Sequence, residues 1–252
     1  MKSTGIGRFS LKACGLSLAL LVPANVQLSV FDTSDAISLN SLKVELLDDE
    51  ARVQHARELL GDRQAELAGV AADGVSRSME TFIEESVRTS LDDAHKQLTA
   101  SIAGAILRAS KQHHMDPIFV MAVIAHESRF NVNARGSHGE IGLMQIKPST
   151  AEWIAKRLKI EWKGDQSLFD PAVNIQISTA YFAFLRHRFG SRPKAYVAAY
   201  NMGPQNVRRI LAEKIEPAIY SSDVIGQYRG IYRKLVAAAA VTSAQVVSQI
   251  SN

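Results

Sequence analysis

The chain has 252 residues, 46% apolar and 21% charged, a composition that excludes a disordered protein and allows one substantial core with an accessory segment, or two small domains. Its single cysteine, Cys14, excludes an internal disulfide and a thiolate metal site. The net charge of +4 conceals an acidic first half, with fifteen acidic and seven basic residues in 32–98, and a basic second half, with ten acidic and nineteen basic residues in 99–252.

The first 24 residues are predicted to be an export signal. Ala13–Val22 is an apolar run that is too short to span a bilayer, and Val22-Pro23-Ala24 allows cleavage after Ala24. An uncleaved membrane anchor is the alternative. Export to the periplasm favours cell-wall glycan over nucleic acid as the anionic polymer that the basic half would meet. The basic residues ahead of the apolar run are Lys2, Arg8 and Lys12.

A linker (25–38) is followed by a helical segment, residues 39–97. The turn signal Asp73-Gly74 divides two apolar stripes, which predict a helical hairpin or a coiled segment. These helices would either recruit a protein partner or simply pack on the following domain. The stripes comprise Leu39, Leu46, Val53, Leu60 and Leu67, and then Met79, Ile83, Val87, Leu91, Ala94 and Leu98.

Residues 98–235 are predicted to form an all-α domain, followed by a helical tail (236–252). Asp116 is a natural N-cap with Pro117 at the first helical position, and no stretch shows the alternation typical of a strand. The predicted helices are 102–111, 118–127, 148–158, 171–190, 193–201, 204–214 and 223–236.

Glu127 is the strongest catalytic candidate among single residues. It ends the apolar run Ile118–Ala125, where lost solvation disfavours the charged carboxylate and raises its pKa. A carboxyl that stays protonated near neutral pH can act as a general acid. A glutamate that ends a helix and faces water is the alternative.

Three segments of the sequence favour the catalytic role of Glu127 over this alternative. In chain order they are Glu127-Ser128-Arg129-Phe130-Asn131, Gly142-Leu143-Met144-Gln145-Ile146 and Ala198-Ala199-Tyr200-Asn201-Met202-Gly203-Pro204. Residues 100 to 235 thereby resemble the catalytic domain of soluble lytic transglycosylases, in a lysozyme-like superfamily that includes goose-type lysozymes. The resemblance implies a mainly α, lysozyme-like fold.

The resemblance also implies roles for individual residues. Glu127 would be the catalytic acid/base, and the Tyr200 hydroxyl would orient it. Where the family often has a serine this chain has Gly136, and Ser137 would substitute for it. Lys147 stands where the family often has methionine. The implied substrate-binding residues are Ser128, Ser137, Met144, Gln145, Tyr200, Asn201 and Tyr228.

The implied reaction cleaves the β-1,4 bond between N-acetylmuramic acid and N-acetylglucosamine. The substrate's acetamido oxygen would act as the nucleophile, and one glutamate would close a 1,6-anhydromuramyl ring without water. A hydrolytic muramidase is the alternative, with Glu140 as a possible second carboxylate. A glycan-binding or scaffold component of an envelope-spanning secretion machine is another. No cofactor or metal is expected, because no histidines have ligand spacing: His113 and His114 are adjacent, and His126 lacks a second histidine one turn away.

Overall fold

The computed structural model describes residues 49–250. The predicted signal peptide (1–24), the linker (25–38) and the first positions of the helical segment lie outside this range. The helices are α1 (residues 49–60 of the described part), α2 (Asp62–Leu67), α3 (Asp73–Ser90), α4 (Thr99–His113), α5 (Pro117–Glu127), α6 (Pro148–Leu158), α7 (Pro171–Arg188), α8 (Pro193–Met202), α9 (Pro204–Ala212) and α10 (Ile219–Ile250). Short 3-10 helices span Asp93–Leu98 and Asp165–Phe169.

The mainly α prediction is confirmed. The described residues contain no strand, only isolated β-bridges that pair Ile141 with Arg135 and with Ile146. None of the helices between residues 49 and 250 is both long and apolar enough to cross a membrane. The largest difference in helix bounds is at the C-terminus, where the predicted helix 223–236 and tail form the single helix α10.

Local sequence explains where the principal helices begin. The Asp116 carboxylate accepts a hydrogen bond from the Ile118 amide (2.8 Å), and Pro117 fills the first helical position of α5. Asp170 caps α7 in the same way, with a 2.8 Å hydrogen bond from the Ala172 amide. Both caps were predicted as helix starts from the Asp-Pro pairs.

The core is centred on α5. From Pro117 to Ile124 every side chain of this helix is buried, because α4 and α10 pack against it from different sides. In turn α4 packs against α7, and α7 contacts α6 and α8. A helix that is apolar all round is stable only in such a surrounding. The buried helix therefore carries its last residue, Glu127, from the centre of the core to its edge.

The N-terminal helices belong to the same compact unit as the rest of the described chain. Ala56 of α1 is fully buried, and α3 packs against α4 and α10. Residues 49–97 of the predicted helical segment therefore pack on the following domain. Within the described residues, the apolar stripe that repeats every seven residues is not continuous. Gly61 (φ 78°) separates α1 from α2, and Leu67 is 80% exposed.

Buried polar contacts join α1 to the later helices. The Asp116 carboxylate accepts from the Tyr228 hydroxyl (2.8 Å), and the His55 ring accepts from the Asp116 amide (2.9 Å). Arg52 donates to the Tyr232 hydroxyl (2.8 Å), and its charge offsets part of the rise that burial causes in the pKa of Asp116. At the edge of this region Arg186 and Glu58 form a bidentate pair (2.6 and 2.8 Å).

Candidate active site

The chain turns sharply after Glu127. Ser128 ends α5, and Arg129 (φ 53°) and Phe130 (φ 63°) both adopt left-handed backbone conformations. Such conformations are uncommon for residues with a side chain and are concentrated at functional sites. Phe130 is buried, so it packs beneath the turn and anchors it. The turn leaves the Glu127 carboxyl at the wall of a cavity.

The cavity has a volume of about 360 Å³. It brings together residues from α5, the 136–147 loop, α6, α7 and α8. Five of the residues that the sequence predicted for the site line it: Glu127, Ser137, Gln145, Tyr200 and Asn201. The other lining residues are Gly136, His138, Glu140, Ile146, Lys147, Thr150, Tyr181, Met202 and Gly203.

The environment of Glu127 is that of an acid. The pKa of its carboxyl is raised to about 7, because burial and the charge of Glu140 raise it by more than the hydrogen bond from Tyr220 lowers it. Burial exceeds the effect of the hydrogen bond, so a large fraction of Glu127 is protonated at neutral pH. This is the balance that general acid catalysis requires near pH 7.

The partner of Glu127 is Tyr220, which the sequence did not single out. The Tyr220 hydroxyl donates to Oε1 of Glu127, and its ring lies edge-on against His126 with centroids 5.0 Å apart. Tyr220 is the second residue of α10 and lies between the predicted helices 204–214 and 223–236. Because the hydrogen bond joins residues 93 positions apart, no local pattern could reveal it.

Tyr200 has a different contact from the one predicted. Its ring stacks on Phe182, with centroids 4.0 Å apart and an angle of 4° between the planes. This stacking directs the hydroxyl to the Met144 carbonyl oxygen, to which it donates at 2.8 Å. The expectation that the Tyr200 hydroxyl holds Glu127 is therefore corrected: in this structure it holds the 136–147 loop, and Tyr220 holds the glutamate.

The loop that carries Met144 and Gln145 is fixed by Asn174 of α7, a residue that sequence reasoning also missed. The buried Asn174 side chain accepts from the Met144 amide (2.9 Å) and donates to the Ile141 (2.9 Å) and Leu168 (3.0 Å) carbonyls. Its signal was an asparagine directly between the apolar residues Val173 and Ile175 of α7. Gly142 (φ 78°) is required beside it, since a Cβ there would collide with the Asn174 amide.

Three predicted substrate contacts do not line the cavity. Tyr228 is fully buried and donates to Asp116, so its role is structural and the prediction is corrected. The Met144 side chain is also fully buried, which leaves only its backbone near the site. Ser128 is partly exposed, but its hydroxyl is turned back to the Ile124 carbonyl (3.2 Å).

Glu140 explains the glycine at position 136. A side chain at Gly136 would meet the Glu140 carboxylate and the Gln145 amide oxygen, so a serine fits there only if Glu140 moves. Ser137 is exposed beside it, with its hydroxyl 3.0 Å from His138 Nδ1. Its substitution for the family's serine stays a prediction.

The two carboxyls of the cavity differ in their titration. The slight burial of Glu140 raises its pKa, but backbone hydrogen bonds, including the one from the His138 amide (3.0 Å), and the charge of Lys147 (3.6 Å) together lower it. Glu140 is therefore ionised at the pH where much of Glu127 is still protonated. Across residues 49–250, no group of three or more His, Cys, Asp or Glu side chains is placed to hold a metal ion.

Comparison with known proteins shows which family the site resembles. Residues 104–221 match the family model described as the Transglycosylase SLT domain. This segment is therefore similar to SLT domains. The matched segment runs from α4 to the start of α10, and it contains every residue that lines the cavity as well as Tyr220.

The proteins that this chain resembles include lytic transglycosylases of murein. The soluble lytic murein transglycosylase of Salmonella typhimurium is 25% identical over 222 residues, which is 85% of this chain and 34% of that protein. The membrane-bound lytic murein transglycosylase C of Sodalis glossinidius is 34% identical over 129 residues, 47% of this chain and 34% of that protein. The crystal structure of the 70 kDa soluble lytic transglycosylase from Escherichia coli is similar with 27% identity and a TM-score of 0.45, over 69% of this chain and 31% of that one. The chain thus spans about a third of the length of these relatives.

Proposed function

We propose that this protein is a peptidoglycan lytic transglycosylase. It would cleave the β-1,4 bond between N-acetylmuramic acid and N-acetylglucosamine and leave 1,6-anhydromuramyl ends. The observation that carries the proposal is the carboxyl of Glu127, with its pKa raised to about 7 at the wall of a cavity in the segment that matches the SLT family model. The substrate class comes from the family and from the names of its relatives.

Glu127 would act twice in this reaction. Protonated, it donates to the glycosidic oxygen as the bond breaks, while the acetamido oxygen of the muramyl residue attacks the anomeric carbon from within the substrate. The resulting carboxylate then accepts the proton of the C6 hydroxyl, whose oxygen displaces the acetamido group and closes the 1,6-anhydro ring. Tyr220 suits both steps, because a hydroxyl donor stabilises the carboxylate that forms between them. Gln145 and Asn201 would position the sugars.

A hydrolytic muramidase is the second candidate, and the observation in its favour is Glu140. This carboxylate lines the same cavity, and as an ionised group it has the charge of a general base for water. Against this role, its oxygens already accept from the His138 amide and face Lys147. These partners stabilise the carboxylate and weaken it as a base.

The products distinguish the two candidates. Purified sacculi digested by the parent protein should yield muropeptides that end in 1,6-anhydromuramic acid, each lighter by one water than the hydrolysis product in mass spectrometry. The Glu140→Gln variant should yield the same kind of end. Reducing-end muramic acid in the parent digest, lost in Glu140→Gln, would establish the muramidase instead.

The pH dependence of kcat/KM should report the acid form of Glu127. Since the carboxyl must be protonated in the first step, activity should fall as the pH rises through about 7. The Tyr220→Phe variant loses a hydrogen bond that favours the ionised form, so its fall should move to higher pH. Tyr232→Phe, which removes a buried hydroxyl that contacts Arg52, is the matched control and should leave the midpoint in place. An unshifted Tyr220→Phe profile would mean that Tyr220 does not act on the catalytic group.

The proposed site of action is the periplasm, reached by cleavage after Ala24. N-terminal sequencing of the protein from an envelope fraction tests this, and an intact Met1 in the cytoplasm would contradict it.

We further propose that a protein partner binds the N-terminal helices. The buried faces of α1 and α3 are occupied by the core, which leaves surface positions such as Leu67 (80% exposed). Leu67→Glu in the full chain should abolish co-purification of such a partner, and unchanged recovery would refute this surface.

A further inference from the structure

A second cavity of about 320 Å³ lies between α6, α7 and the start of α9. It shares the lining residues Thr150 and Tyr181 with the cavity that contains Glu127, so the two cavities are adjacent. A polymer that extends from the first cavity past these two residues would enter the second. The second cavity is lined by Ser149, Thr150, Trp153, Tyr181, Phe184, Arg188, Pro204 and Gln205.

An aromatic surface runs from one cavity into the other. Tyr181 lies 5.6 Å from Tyr200 in the first cavity and stacks with Phe184 at 6.3 Å and 12°. Phe184 in turn contacts Trp153 edge-on at 4.9 Å and 76°. Trp153 remains 45% exposed although its partner Phe184 is only partly exposed. An indole left open at the wall of a cavity presents a flat apolar face to a ligand.

Two cations border this surface. The Arg188 guanidinium lies 5.7 Å from the Phe184 ring centroid, and that of Arg157 lies 6.0 Å from the Trp153 centroid and 5.8 Å from Phe184. Both arginines are exposed, and neither pairs with an acidic side chain within the described part of the chain. Arginines held against aromatic rings keep their N–H edges directed outward, where they can bind carboxylates in two-pronged fashion.

We infer that this second cavity is a subsite for a muramyl residue that still carries its stem peptide. Trp153 would stack on the apolar face of the sugar ring, and Arg188 with Arg157 would bind carboxylates of the peptide. The inference rests on the proposed function, since it places a further unit of the same glycan strand beyond the cleavage site. It assigns this domain a preference for peptide-bearing strands over denuded ones.

The test measures binding in the absence of turnover, with the full chain in a Glu127→Gln background. The chain has two tryptophans, so adding Trp162→Phe leaves Trp153 as the only indole reporter. Glycan strands released from sacculi are titrated with and without their stem peptides, and Trp153 fluorescence is recorded. A saturable change, with tighter binding of the peptide-bearing strands, is expected.

Two variants distinguish the contribution of the Trp153 ring to binding from that of the two arginine charges. Trp153→Ala should weaken binding of both kinds of strand by roughly threefold to tenfold, measured by calorimetry because the reporter is lost. Arg157→Gln with Arg188→Gln should weaken binding of the peptide-bearing strands by roughly fivefold or more and remove the difference between the two kinds. Lys156→Gln removes an exposed cation from the same helix outside the cavity and serves as the charge control.

The possible failures are distinguishable. If the variants bind both kinds of strand as tightly as the Glu127→Gln protein, this subsite is refuted while the proposed function stands. The same conclusion follows if Lys156→Gln reproduces the double arginine variant, because the effect would then be one of net charge. If neither kind of strand binds and the parent releases nothing from sacculi, the proposed function fails and the subsite fails with it.

Discussion

Glu127→Gln is expected to reduce the turnover of purified sacculi by ~10⁴-fold, the upper end of the range for a lost general acid. Glutamine keeps the shape of the side chain and still accepts a hydrogen bond from Tyr220, but it neither donates nor accepts the catalytic proton. The loss is at the upper end because the same carboxyl would serve both steps. Release of soluble muropeptides per unit time measures it, with Glu140→Gln as the matched cavity control.

The folded state of Glu127→Gln should be no less stable than the parent. Burial raises the pKa of Glu127 above its unfolded value, so the folded carboxyl binds its proton more tightly and stability falls as the pH rises from about 4.5 to about 7. Glutamine does not titrate, so the free energy of unfolding of the variant should rise relative to that of the parent across that pH window, by up to roughly 3 kcal/mol, with no further change above it.

The activity prediction has its own contradicting outcome. A Glu127→Gln protein that keeps more than about a tenth of the activity would mean that the acid lies elsewhere.

Asp116→Ala is expected to destabilise the protein by about 3–5 kcal/mol, the largest effect on stability that we predict for a single residue outside the cavity. The substitution removes the N-cap of α5 and leaves the Tyr228 hydroxyl without its acceptor in a fully buried position. It also removes one of the two carboxylates that interact with the Arg52 charge, the other being that of Asp49. Because α5 ends in Glu127, activity should fall with stability. Thermal unfolding should show a midpoint lower by roughly 10 °C or more.

Asp116→Asn is the matched control for that result. Its amide oxygen can still accept from the Ile118 amide, so the cap is kept while the charge is lost. We expect it to lie between the parent and Asp116→Ala in thermal unfolding. If Asp116→Ala melts within about 2 °C of the parent, then the buried contacts of Asp116 with α1 and α10 do not stabilise the fold.

Much of the scaffold follows from local sequence. The pair Asp116-Pro117 and the apolar run behind it were enough to predict α5 and its burial up to Ile124, because capping and all-round apolarity are properties of adjacent residues. The bounds of α6 were predicted without error, and Pro148 at its first position is also a local signal. The candidate acid followed from the position of Glu127 at the end of the apolar run together with the three segments that resemble lytic transglycosylases.

Contacts between distant elements did not follow from local sequence. Tyr220 reaches Glu127 across 93 positions and Asn174 reaches Met144 across 30, and neither residue stands in a repeating pattern. The apolar stripe that repeats every seven residues was misleading for a different reason, because it indicated burial at a position that is exposed. It marked Leu67, which is 80% exposed, while His55, outside the stripe, is fully buried because the Asp116 amide and the Tyr196 hydroxyl satisfy its ring.

The most direct test of the central claim is digestion of sacculi in water enriched in ¹⁸O. If Glu127 closes a 1,6-anhydro ring from within the substrate, no solvent oxygen enters the product, and the muramyl ends should carry no label in mass spectrometry. The Glu127→Gln protein should release almost nothing under the same conditions, which ties the product to this residue. Muramyl ends that each carry one ¹⁸O atom would show that water attacks the sugar, and would contradict the account.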